Sequence, residues 1–137
     1  MCPADLSVLR YRIDDIRSII SELRNLISKP FEELSLHEKY SMRYLVILLV
    51  EALVSLCAHI SVEEYGRSPT SYRDVVKLVC QRLDVRCVDD LEALISLRNL
   101  LIHRYWTIDD RRIYDSIRSD FGCVEHFLER VREAFLR

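Results

Sequence analysis

The chain has 137 residues, half of them hydrophobic and 31% charged, a balance that excludes a disordered polymer and is enough for one domain with one core. Its formal net charge of -2 disfavours gripping a long duplex through many phosphates, so no DNA partner is expected. Two glycines, three prolines and a lack of alternating strand patterns point to long helices joined by short turns.

Leu6, Leu9, Ile13, Ile16, Ile20, Leu23 and Ile27 recur at spacings of three and four, the seam of a first helix that Pro30 ends. Ser35-Leu-His-Glu38 has the form of a capping box and opens a second helix reaching about Tyr65. Its stripe is Leu45, Leu48, Leu49, Ala52, Leu53, Leu56 and Ile60, and Val46, Ile47, Val50 and Val54 extend it round the helix. Such a helix needs neighbours on several sides and is expected at the centre of a bundle or at a subunit interface. The apolar run from Tyr44 to Leu56 is interrupted by Glu51 and is expected to be too short to span a bilayer.

Gly66 suits a helix C-terminus, and a third helix starts near Thr70 or Ser71 with Val75, Val76, Leu78, Val79 and Leu83. Asp89-Asp-Leu-Glu92 reads as a capped start of a fourth helix carrying Leu91, Leu94, Ile95, Leu97, Leu101 and Ile102. Thr107-Ile-Asp-Asp110 is a polar turn, and a fifth helix runs from Ile113 to Phe135, weakened or bent at Gly122. The expected fold is all-α, an up-and-down bundle of about five helices forming one domain over residues 1–137. The cysteines (Cys2, Cys57, Cys80, Cys87 and Cys123) are odd in number and show no C-x-x-C pair, so they read as reduced, mostly buried thiols of a cytoplasmic protein. The charged first helix does not read as a signal peptide.

The fourth helix contains an anomaly. Leu91, Leu94 and Ile95 set its buried face, and Arg98 continues that stripe, so its guanidinium must pair, reach a cleft or face a partner subunit. His103 and Tyr105 follow, giving the pattern R-x4-H-x-Y. These groups suit cleavage of RNA. Arg98 can hold a phosphate and stabilise transition-state charge, and His103 can move a proton near neutral pH as general acid or base. Tyr105 can position the phosphate or be modified. Such chemistry needs no metal, and the sequence offers no obvious metal cluster and calls for no cofactor. On a straight helix Arg98 and His103 lie about 140° apart, so the site requires a distorted helix end or a second copy across a two-fold axis. Without further information, a structural arginine and a histidine at a helix C-terminus account for the same spacing. Glu51, a carboxylate within an apolar segment, either pairs with Arg98 of its own or a partner chain or faces water. Trp106 either anchors packing at the turn or stacks a base. Arg104, Arg111 and Arg112 make the motif end basic, offset by Asp109 and Asp110.

The stretches HISVEEYGRSPTSYRDVVKLV (residues 59–79) and LRNLLIHRYWTIDDRRIYDSI (residues 97–117), with G-x-x-P-x-S-Y-R-D, R-N-x4-H-R-Y-W and I-D-D-x-x-I-Y, resemble the HepT toxin family of the HEPN superfamily of helical nucleases. The likeness covers most of the chain after residue 40. It implies a toxin of a type II toxin–antitoxin system, a metal-independent endoribonuclease acting as a homodimer in whose cleft the motifs meet. By the same resemblance Arg98 and His103 are catalytic, while Asn99 and Tyr105 support or position substrate; Glu51 joins the supporting residues only through the pairing with Arg98 considered above. The partner implied is an antitoxin of the minimal nucleotidyltransferase (MNT) type that silences the toxin by transferring AMP to Tyr105. The alternative is a non-catalytic helical partner or adaptor of a nucleotidyltransferase, for which the acidic net charge speaks. A plain helix-bundle dimer with other binding duties fits the resemblance least.

Overall fold

Five α-helices follow one another in the computed structural model: α1 (Leu6–Leu26), α2 (Leu36–Tyr65), α3 (Tyr72–Arg82), α4 (Val88–His103) and α5 (Asp110–Phe135). Single 3-10 turns lie at Phe31–Glu33 and Tyr105–Thr107, and no strand occurs among the described residues. The structure describes residues 5–136, the side chains of Tyr105 and Asp120 excepted; Cys2 therefore lies outside the described residues.

The bundle is organised around α2, which packs against α1, α3, α4 and α5. Its capping box is complete: the Glu38 N–H donates to Ser35 Oγ at 3.1 Å, and the Ser35 N–H donates to Glu38 Oε1 at 3.0 Å. At the other end Gly66 adopts φ +62°, a left-handed conformation open to glycine at no steric cost. Met42, Val46, Leu49, Val50, Leu53, Leu56, Cys57 and Ile60 are fully buried. The expectation of a run too short for a bilayer is corrected on length. All 30 residues of α2 are helical, and the helix is long and apolar enough, by length and composition, to cross a membrane. Its packing against all four other helices supplies another reason for that apolarity. The α1 seam also packs as the periodicity predicts: Leu9, Ile13, Ile16, Ile20 and Leu23 are buried, and Ile19 joins them, whereas Leu6 at the helix start is exposed.

Two local expectations need correction, and a third, a helix weakened or bent at Gly122, is narrowed to a weakness that leaves the helix unbroken. The fourth helix begins at Val88 with Cys87 as its cap residue, so Asp89 and Asp90 lie inside the first turn, where their charge complements the helix dipole. Helix α5 continues through Gly122 without interruption. A β-carbon there would meet nothing within 4 Å, and the position is exposed, so Gly122→Ala is expected to raise stability by about 0.5–1 kcal/mol in urea unfolding. An unchanged or lowered midpoint would contradict this. Finally, Cys87 and Cys123 are not separate thiols: they form a disulfide joining the start of α4 to the middle of α5. The pairing spans 36 residues of sequence and follows only from the packing of α4 on α5. Cys57 and Cys80 are free and buried as expected. Burial pushes both thiols up, Cys80 to about 12, so neither supplies a thiolate near neutral pH.

A further long-range tie fixes the start of α5. Arg43 of α2 grips Asp110 with two parallel hydrogen bonds, Nε to Oδ1 at 2.7 Å and Nη2 to Oδ2 at 2.8 Å. Both side chains are mostly shielded, 21% and 14% exposed. Asp109 caps the same helix by accepting the Arg111 N–H at 3.0 Å, as the polar turn predicts.

Candidate functional site

Arg98 resolves its anomaly by pairing within its own chain. Its Nε donates to Glu51 Oε1 at 2.7 Å, and Nη2 stands 2.6 Å from the same oxygen. Nη1 donates to Asn99 Oδ1 at 3.0 Å. A guanidinium has five N–H groups. Three are engaged here, so one on each terminal nitrogen remains for a ligand. Arg98 is only 18% exposed, whereas Glu51 is 39% exposed and can be reached from solvent.

The sequence reading missed the fourth member of this cluster, Tyr72. Its hydroxyl donates to Glu51 Oε2 at 2.8 Å, and its ring lies 4.9 Å below the Arg98 guanidinium, a cation–π contact. The local sequence accounts for its placement. Gly66 turns the chain, and the loop is held to α2 by Ser61, whose Oγ donates to the Arg67 carbonyl at 2.8 Å. Ser71 then caps α3 by accepting the Asp74 N–H at 3.0 Å, which makes Tyr72 the first helical residue. The G-x-x-P-x-S-Y-R-D stretch is thus a device that delivers a phenol to Glu51. The available signal was a tyrosine directly after a cap serine, but nothing local says that it meets a carboxylate 21 residues earlier.

The hydrogen bond to Glu51, reinforced by burial and by the carboxylate charge, raises the Tyr72 phenol above the usual tyrosine value, and Arg98 opposes this. Because the folded value is raised, the contribution to stability is fully present below the ordinary tyrosine value of 10.0 and is lost as pH rises through the folded value. Phenolate absorbance is therefore expected to show a late-titrating tyrosine that Tyr72→Phe removes. Titration of Tyr72 in the ordinary range would refute the assignment.

His103 is the last residue of α4, and its side chain is exposed. Among the described residues no hydrogen bond or ion pair joins it to the Arg98 cluster. Helix α4 is regular through His103 and departs from helical geometry at Arg104, with φ −140° and ψ 43°. The helix therefore shows no distortion between Arg98 and His103, and within one chain the two keep their separation of about 140° round the helix. The 3-10 turn that follows is closed by Thr107, whose N–H and hydroxyl both donate to the Arg104 carbonyl at 3.0 and 2.9 Å. The Tyr105 side chain lies outside the described residues. Trp106 does not anchor packing: it is 71% exposed and borders an open groove with Leu36, Tyr40, Tyr44 and Ile47 of α2 and Leu101. The basic character of this end is partly neutralised, since Arg111 pairs with Glu32 at 2.7 Å.

A family profile described as HepT-like ribonuclease matches residues 13–131. The chain belongs to the HepT-like ribonuclease family. Among curated proteins no sequence matches it. Solved structures share the HepT-like fold at low identity. The cytosolic protein of unknown function YutE from Bacillus subtilis superposes with a TM-score of 0.82 at 20% identity, covering 98% of this chain and 92% of that one. A chain from a toxin–antitoxin structure with AMP-PNP gives 0.82 at 18%, covering 93% and 98%. A mutant of the toxin–antitoxin MntA–HpeT gives 0.80 at 19%, with the same coverage. The HepT-like bundle thus accounts for nearly the whole chain.

Proposed function

We propose that this chain is the toxin of a toxin–antitoxin pair, an endoribonuclease that cleaves RNA without a metal ion. The observation that carries the reading is the state of Arg98. It is largely shielded, held in place by Glu51, Tyr72 and Asn99, and still has N–H groups for a phosphate, on the helix whose end exposes His103. In this role Arg98 binds the scissile phosphate and stabilises its growing charge, and His103 transfers a proton. Membership of a ribonuclease family supports the assignment.

The active form is a homodimer in the cytoplasm. The outer face of α2 leaves Leu36, Tyr40 and Tyr44 more than half exposed beside Trp106, an apolar strip that a second copy would cover. A two-fold arrangement would also bring His103 of one protomer towards Arg98 of the other, answering the separation within one chain. The antitoxin is a nucleotidyltransferase of the MNT type that inactivates the toxin by placing AMP on Tyr105; the shared fold with the toxin–antitoxin structures supports an antitoxin partner.

The test is RNA cleavage by the purified chain in the presence of a chelator. Products ending in a 2′,3′-cyclic phosphate, lost in His103→Ala, are expected. Absence of cleavage, or cleavage that survives His103→Ala, would overturn the reading in favour of a non-catalytic partner of the nucleotidyltransferase. Sedimentation at micromolar concentration should show a dimer; monomer alone would overturn the two-fold site.

A further inference from the structure

An RNA strand held at one linkage continues on both sides of it, and α4 carries a path for it on the flank away from Arg98. Ser96, Leu97 and Leu100 of α4 face Arg112 and Ser116 of α5 across an open groove of about 440 Å³. Helix α4 is regular through His103. Leu100 therefore stands one turn before that histidine, and Ser96 falls within about 20° of it round the helix. The groove thus runs along the face of α4 that His103 ends.

The groove combines an apolar floor with a basic wall. Among the described residues that line it, Arg112 is the only charged one. Its side chain is exposed, and its guanidinium has no ion pair or hydrogen bond among the described residues. Nearby carboxylates are already engaged: Glu92 by Lys77 at 3.3 Å and Arg73 at 3.9 Å, and Asp115 by Arg111 at 3.6 Å. Arg73 also donates to Ser96 Oγ, which adds a second positive charge at the far end and leaves the Ser96 hydroxyl proton for a ligand. An anion suits such a wall, and a flat uncharged ring suits the leucines below it. A nucleotide is both at once.

We infer that this α4–α5 groove is a substrate subsite for the nucleotide next to the scissile linkage in single-stranded RNA. Arg112 binds its phosphate, Leu97 and Leu100 carry its base, and the hydroxyls of Ser96 and Ser116 bond its polar edge. The inference rests on the ribonuclease reading above and gives the strand a way out of the two-fold cleft past His103. The subsite performs no chemistry. It sets affinity, and it selects single strands because only an unpaired base can turn into the groove.

The probe is a single-stranded RNA of roughly eight nucleotides methylated at every 2′-oxygen, which binds without being cut because no 2′-hydroxyl can attack. Arg112→Ala is expected to raise its Kd roughly 3–10-fold and to flatten the slope of log K against log salt by about 0.7, the share of one phosphate contact on a single strand. Leu100→Ala is expected to raise Kd a few fold with the slope unchanged. Arg118 is the control: it is exposed on α5, about 120° round the helix from Arg112, and Arg118→Ala should leave binding as it is. Urea unfolding checks that the variants fold. An unchanged Kd and slope in Arg112→Ala, or equal losses in Arg112→Ala and Arg118→Ala, overturns the inference. So does a duplex of the same sequence that binds as tightly as the single strand. A wild type that ignores the probe yet cuts ordinary RNA overturns the inference alone. A chain that binds the probe as expected but cuts no RNA overturns the ribonuclease reading and leaves a groove that binds RNA.

Discussion

Arg98→Lys is expected to lower RNA cleavage about as far as Arg98→Ala, by roughly 10²–10³-fold in kcat/KM. The usual argument that lysine preserves charge fails at this position. Arg98 divides its fork between Glu51 and Asn99 and keeps an N–H on each terminal nitrogen, which the proposed role gives to the phosphate. An ammonium has three donors at a single point, and occupying Glu51 draws that point away from the substrate. The planar contact with the Tyr72 ring is also lost. Because the interaction grows with phosphate charge in the transition state, kcat should fall rather than KM rise alone. Both variants should fold, since Glu51 is exposed enough to be hydrated once its partner is removed. A lysine variant retaining most of the wild-type rate would show that only the charge matters and that the fork does not.

The second large effect concerns stability. Asp110→Ala is expected to destabilise the fold by about 1–3 kcal/mol in urea unfolding, because it removes the bidentate carboxylate from the largely shielded Arg43 guanidinium. The bidentate geometry and low exposure separate this pair from the open surface bridges, such as Arg17 with Glu129, for which about 0–1 kcal/mol is the usual range. Removing both partners together should cost clearly less than the two single changes added, as expected for groups in direct contact. Purely additive losses would mean that each side chain acts through other neighbours. Asp110 opens α5 directly behind the 3-10 turn of the motif, so cleavage should decline along with stability.

What was legible in the sequence follows the range of the forces involved. The five helices could be read because their signals are local: a seam of threes and fours in α1, the reciprocal pair Ser35 and Glu38, glycine at position 66 and Asp109 before α5. The start of α4 was misplaced because no side chain caps it, and its acidic first turn imitates a cap. The site was half visible. An arginine on an apolar stripe and a carboxylate inside an apolar helix each demanded a partner, and 47 residues apart they satisfy one another. Tyr72 carried no such demand, since a tyrosine at a helix start is comfortable in water. The Arg43–Asp110 pair and the Cys87–Cys123 bond lie 67 and 36 residues apart and depend on how α5 crosses its neighbours, which no periodicity encodes.

Trp106 is the only tryptophan in the chain, and its indole already sits mostly in solvent at the end of the motif. Its emission therefore reports on a single place. Anything that settles on the motif end, whether a second copy, an RNA strand or a nucleotidyltransferase, must dehydrate that ring and shift its spectrum towards the blue. The chain thus carries a native optical sensor for docking.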